Sequence, residues 1–180
     1  MQFTIPDTRF QTEAFSIHPK DFFRSHHCGG RSLVKVLFFL PPDWHGHASE
    51  TLWAEWLGGN RVRLLNTPFF ASGISRNDVV AVRRDDGWLT LDRVLERSGH
   101  STVRLLLDAA LPMEDFQQAW QAVQKWGCHC EPVLEGKHRL VAVDIPPRAD
   151  FDAVHDALER GERAGVWHYD EAHCGHRIAV

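Results

Sequence analysis

The chain has 180 residues, 43% hydrophobic and 24% charged, enough to bury a core in one domain or two small ones. Its longest apolar run, Val36–Pro42, falls far short of the roughly 20 residues that cross a bilayer, which speaks against a membrane partner. Net charge is −4 but uneven: residues 1–100 hold 12 Lys+Arg and 11 Asp+Glu (+1), residues 101–180 hold 8 and 13 (−5), the opposite of the basic patch that a nucleic-acid partner needs.

Asp7, Arg9 and Glu13 interrupt the N-terminus where a cleavable signal needs an apolar stretch, so the expected localisation is cytoplasmic. Residues 1–32 show no sustained period and read as an N-terminal extension ending in a His26-His27-Cys28-Gly29-Gly30 loop. Leu33–Leu40 is β-branched and aromatic, a strand stopped by Pro41-Pro42. Thr51–Leu57 and Arg61–Leu65 flank Gly58-Gly59-Asn60, a hairpin; Val79–Arg84 and Trp88–Val94 flank Asp85-Asp86-Gly87, a second. Residues 33–99 therefore predict a small open β-barrel or sheet.

The period changes after Gly99. Val103–Leu107 is a buried-type strand, and Pro112 opens a helix with Phe116, Trp120, Val123 and Trp126 on one stripe and Gly127 as its stop. Cys128–Leu134 and His138–Ile145 form a hairpin. Asp150 caps a second helix, Phe151–Arg160, with Phe151, Val154 and Leu158 inward and Gly161 or Gly165 ending it. Val166–Tyr169 is the last strand, and 173–180 a polar tail. Residues 100–172 thus predict a ferredoxin-like βαββαβ plait and the whole chain an α+β protein.

The four cysteines, Cys28, Cys128, Cys130 and Cys174, read as reduced thiols in a chain of this kind. Cys128-His129-Cys130 and His173-Cys174-Gly175-His176 raise the question of a metal, but a single residue between thiols is a poor bite for tetrahedral zinc. No nucleophile elbow or phosphate-cradling glycine loop is present. The expectation is no catalytic residue, no metal and no cofactor. At the junction, His100 with Phe69 and Phe70 marks a possible pocket between the halves. On the second helix, Asp152, Asp156 and Glu159 share the face away from the apolar stripe. Together with Trp167, Tyr169, Asp170 and Glu171 on the last strand they mark a partner-binding surface.

Three segments, Leu52-Trp53-Ala54-Glu55, Asn66–Val80 and Ser98-Gly99-His100-Ser101, resemble a bacterial family known as domain of unknown function 4265; Asn77 stands where that pattern has glycine. The resemblance spans roughly residues 33–172 and implies no catalytic residues. Small acidic bacterial proteins of this kind look like immunity proteins, which implies a basic protein partner such as a toxin domain. The alternative is a small-molecule sensor using the junction pocket.

Overall fold

The structure, a computed structural model, describes residues 26–28, 31–41, 46–108, 110–135 and 138–176. The strands of the first half are β1 (His26–Cys28), β2 (Arg31–Phe39), β3 (Ser49–Gly58), β4 (Arg61–Leu64), β5 (Val79–Asp85) and β6 (Trp88–Glu96). They pair antiparallel in sequence order, and β2 also pairs parallel with β6 at Leu37 and Thr90. That last pairing corrects the expected open barrel: β2 to β6 close a five-stranded barrel, with β1 added outside on β2. The segment His26–Cys28, expected as a loop, is a strand; the rest of the N-terminal extension, apart from Arg31 and Ser32 in β2, lies outside the described residues.

Alternation fills the barrel. Val36, Phe38, Leu52, Ala54, Val62, Leu64, Val80 and Val82 point inward, while Lys35, Glu55, Arg61 and Arg63 stay outside. The β5–β6 turn is a two-residue connection in which Asp86 and Gly87 both have positive φ, 43° and 84°, the combination that matches the twist of a hairpin.

The second half runs β7 (Ser101–Asp108), α1 (Met113–Gln124), β8 (His129–Glu135), β9 (His138–Ile145), α2 (Phe151–Arg163) and β10 (His168–His173). The sheet order is β10-β7-β9-β8, all antiparallel. One face of the sheet presents Val103, Leu105, Leu107, Val141, Val143 and Ile145 to the buried stripes of both helices, Phe116, Trp120 and Val123 from α1 and Val154 and Leu158 from α2. The predicted stripes are therefore those that bury. Asp150 caps α2 by accepting the N–H of Ala153 at 3.1 Å.

The C-terminal elements differ from expectation in three ways. Gly161 does not end α2; the helix continues to Arg163 and turns at Gly165, which has φ 72°. Gly161 is needed because Trp167 lies against it: a Cβ there would sit 2.0 Å from the Trp167 ring. The last strand begins at His168 rather than Val166, so Trp167 precedes it, buried, with its indole N–H donated to the Leu158 carbonyl at 2.9 Å. Finally, Cys174–His176 is no free tail. Ser101 Oγ accepts the Gly175 N–H at 2.9 Å and lies 2.6 Å from His176 Nδ1; the His176 ring stacks on Phe151 at 4.8 Å.

Alanine for glycine inside a helix ordinarily stabilises by about 1 kcal/mol. Here Gly161→Ala must displace Trp167 and should destabilise by about 1–3 kcal/mol, read as a lower urea midpoint; a stabilised variant would refute the packing.

Candidate functional site

The second face of the four-stranded sheet is covered by the barrel. Loop 65–78, between β4 and β5, lies across it: Phe69 packs on Leu140 and Ala142, with Phe70, Leu106 and Val133 alongside. Around this small apolar patch the junction is polar and buried, containing Glu50, Asn66, Thr67, Ser75, Asp78, Thr102, Arg104 and Asp144. Buried polar atoms must be paired, so their partners define what the junction does.

Glu50 on β3 accepts the backbone N–H groups of Phe69, Phe70 and Ala71 at 2.7, 3.0 and 2.8 Å. Burial pushes its carboxyl up, and those three N–H groups and the Arg104 charge pull against that rise. Asp78 accepts the N–H of Ser75 and of Ser98 at 3.1 and 2.8 Å and meets Arg97 Nη1 at 3.1 Å. Arg104, from β7, donates to the Phe70 carbonyl and Ser72 Oγ at 3.0 and 2.6 Å. Ser75 and Thr102 hydroxyls join barrel to sheet at 2.7 Å.

His100 Nδ1 lies 2.7 Å from Asp144 Oδ1, and Nε2 lies 3.3 Å from the Asn77 side-chain amide. The network assigns Nδ1–H as donor to the buried carboxylate and Nε2 as acceptor from Asn77. Asn77 is at φ 66°, the left-handed region that asparagine tolerates, which explains how it stands in place of a glycine. Burial raises Glu131 on β8, opposed by Arg76 and by hydrogen bonds from Thr67 and Asn66. His173 is lowered by burial and then by Arg97, its neighbour at 3.4 Å.

The residues expected to line a pocket do lie at this junction, but each is engaged. Phe69 is buried as a plug, Phe70 packs against the tilted His47 ring with centroids 4.3 Å apart, and His100 is held from both ring nitrogens. Cys128 and Cys130 face the helices, as strand alternation requires, while His129 is exposed on the other side. The two His/Cys motifs are not brought into one ligand set: His176 spends Nδ1 on Ser101 and Nε2 on the Pro146 carbonyl at 3.1 Å. Burial pushes the Cys128 thiol up to about 12 and Cys130 up to about 11, so neither is a thiolate at neutral pH.

The predicted partner surface is assembled in part. Asp152 and Asp156 are exposed on α2, with Glu159 half-buried beside them, and Glu171 is exposed on β10, an edge strand; Asp170, also exposed, is turned to the other face of the sheet, where it meets Arg104 Nη1 at 3.5 Å. His155 joins the two elements, with Nε2 at 3.3 Å from the Tyr169 hydroxyl and 3.9 Å from Glu171, and Nδ1 at 3.8 Å from Glu159. Burial and then Glu159, Glu162 and Glu171 raise the Tyr169 phenol. Trp167 is the correction: committed to the core, it offers nothing to a partner. Sequence reasoning also missed two arginines, Arg160 and Arg163, exposed on the same helix; Arg163 meets Glu159 at 2.9 Å. His155, Asp156 and Glu159 place ligand atoms within 4.8 Å of one another, the one such trio among the described residues.

Sequence reasoning missed most of the junction. Its charged members carried a signal, since Arg104 and Asp144 interrupt the otherwise apolar strands VRLLL and LVAVDI. Each marks a strand whose second face meets something other than helices.

The family described as domain of unknown function (DUF4265) matches residues 50–169, a span that contains all three signature segments. No functionally curated protein matches the chain. A crystal structure of a hypothetical protein from Neisseria gonorrhoeae is similar, with a TM-score of 0.63 and 25% identity over 83% of this chain and 98% of that one.

Iodoacetamide at pH 8 should leave Cys128 and Cys130 unmodified in the folded chain and modify both in urea, read by peptide mass spectrometry. Rapid native alkylation of either would contradict thiols that are shielded by the helices and protonated.

Proposed function

The chain belongs to the DUF4265 family, a domain of unknown function, and from that premise we propose that it is a protein-binding module whose working surface is the acidic face of α2 and β10. The observation that carries this reading is the grouping of Asp152, Asp156, Glu159, Glu162 and Glu171 around His155 and Tyr169, with Arg160 and Arg163 as the opposing cations. A face of this kind suits a basic partner: complementary charge speeds encounter and excludes partners of like sign.

Within that reading the chain is a cytoplasmic immunity protein that occludes a toxin domain. Two things favour binding over chemistry. The buried carboxylates of the junction are spent on backbone N–H groups and a histidine, and the Cys128 and Cys130 thiols are held protonated. We also read the second half as a ferredoxin-like plait, supported by its element order and its β10-β7-β9-β8 sheet.

The edge of β10 is closed to strand addition at two points, because Glu162 accepts the Tyr169 N–H at 3.3 Å and Gly73 donates to the Ala172 carbonyl at 2.9 Å. Binding through side chains rather than by sheet extension follows.

A toxin domain encoded beside this gene should bind with an on-rate that falls as salt rises. Replacing Asp152, Asp156 and Glu159 together by lysine should weaken binding at least tenfold, measured by surface plasmon resonance. Unchanged affinity in the triple variant would falsify the acidic-face reading.

A further inference from the structure

Residues 172–176, the end of β10 and the segment after it, run round one end of the four-stranded sheet. On the barrel side, the Ala172 carbonyl accepts the Gly73 N–H of loop 65–78 at 2.9 Å. His173 Nε2 lies 3.4 Å from Arg97 Nη1, which also meets Asp78 of that loop. Gly175 then lies flat on the residues that lead into β7. A Cβ there would sit 2.2 Å from the His100 carbonyl oxygen, so the seat fits glycine and no larger residue. The Gly175 N–H is donated to Ser101 Oγ at 2.9 Å.

His176 carries the contact to the helix side. Its Nδ1 is 2.6 Å from Ser101 Oγ, its Nε2 is 3.1 Å from the Pro146 carbonyl, and its ring stacks on Phe151, the first residue of α2. A carbonyl can only accept, which puts the hydrogen on Nε2 and leaves Nδ1 to accept from the Ser101 hydroxyl. Ser101 is buried, so water does not stand ready to replace these bonds.

The sheet otherwise separates α2 from the barrel: both helices pack on one face, and Phe69 of the barrel loop packs on the other. A direct tie between them has to pass round the sheet.

We propose that residues 172–176 are a strap that ties the first turn of α2 to the barrel loop at Gly73, so that releasing the strap at His176 loosens both. An ordinary chain end would fray from its tip and disturb its own residues alone. A strap anchored at both ends loosens two segments that do not touch each other. Phe151 also adjoins Asp152, and its ring lies 6.5 Å from that of His155. Where α2 docks a partner, a reading on which this last step rests, movement of that face is therefore passed to the barrel.

His176→Ala in the full-length chain removes both imidazole bonds and the ring stack at one stroke. Hydrogen exchange should then show the Gly73 amide and the Val154 amide, the latter bonded to the Asp150 carbonyl in the first turn of α2, losing protection together by about tenfold. Val82 in the barrel and Val123 in α1 should keep theirs. Gly175→Ala, which drives the strap off the His100 carbonyl while leaving the imidazole intact, should give the same pattern. Because no partner is present, the result stands apart from the docking reading. Loss at Val154 with Gly73 unchanged, or the reverse, would overturn the strap. So would no change at either amide, or a loss of protection throughout the chain in both variants, which would make these residues part of the core.

Discussion

The carboxylate of Glu50 is the constraint on which the arrangement of the two halves rests. A loop that must cross a buried sheet face carries backbone N–H groups with no ladder to join, and each one left unpaired costs about 1–3 kcal/mol. Glu50 answers three of them at Phe69, Phe70 and Ala71. With those amides turned toward β3, the loop presents Phe69 to Leu140 and Ala142. The Phe70 carbonyl is then left for Arg104. One side chain of the barrel thus decides which surface of the loop meets the sheet.

From there the rest of the molecule follows. The barrel has its own core, closed on itself, and the second half has another between sheet and helices. Neither needs the other to bury its main apolar face. What joins them is a small apolar plug ringed by carboxylates that are answered by N–H groups, arginines and a histidine. Polar junctions of this type respond to charge and protonation more readily than apolar ones, because each pairing has an ionisation state. The acids of α2 and Glu171 lie on the helix side of the sheet, away from this junction, whereas Asp170 on the other face of β10 meets Arg104 at 3.5 Å and belongs to it.

Much of the architecture was legible from period alone. The stripes of α1 and α2, the Asp150 cap and the three hairpins came from spacing that reflects how helices and strands bury one face. Barrel closure was not legible, because the parallel pairing of Leu37 with Thr90 joins segments far apart in sequence and depends on sheet twist. Of the two glycines that could stop α2, Gly165 is the one at which the chain turns, with φ 72°, whereas Gly161 stays inside the helix to make room for Trp167. The same contact removed Trp167 from the candidate surface, an error inherited from reading an aromatic by type without its burial. The carboxylates of the junction escaped notice because their meaning lies in long-range partners, as with Glu50 and the loop nearly twenty residues on.

Amide hydrogen exchange at Phe69 and Ala71 tests the role of Glu50 most directly. In the wild-type chain these amides should be protected as strongly as those of β7 and β9, although they sit in a loop. In Glu50→Ala their protection should collapse by orders of magnitude while the barrel strands keep theirs. Fast exchange in the wild type, or protection unchanged in the variant, would show that the loop is held to the sheet by something other than this carboxylate.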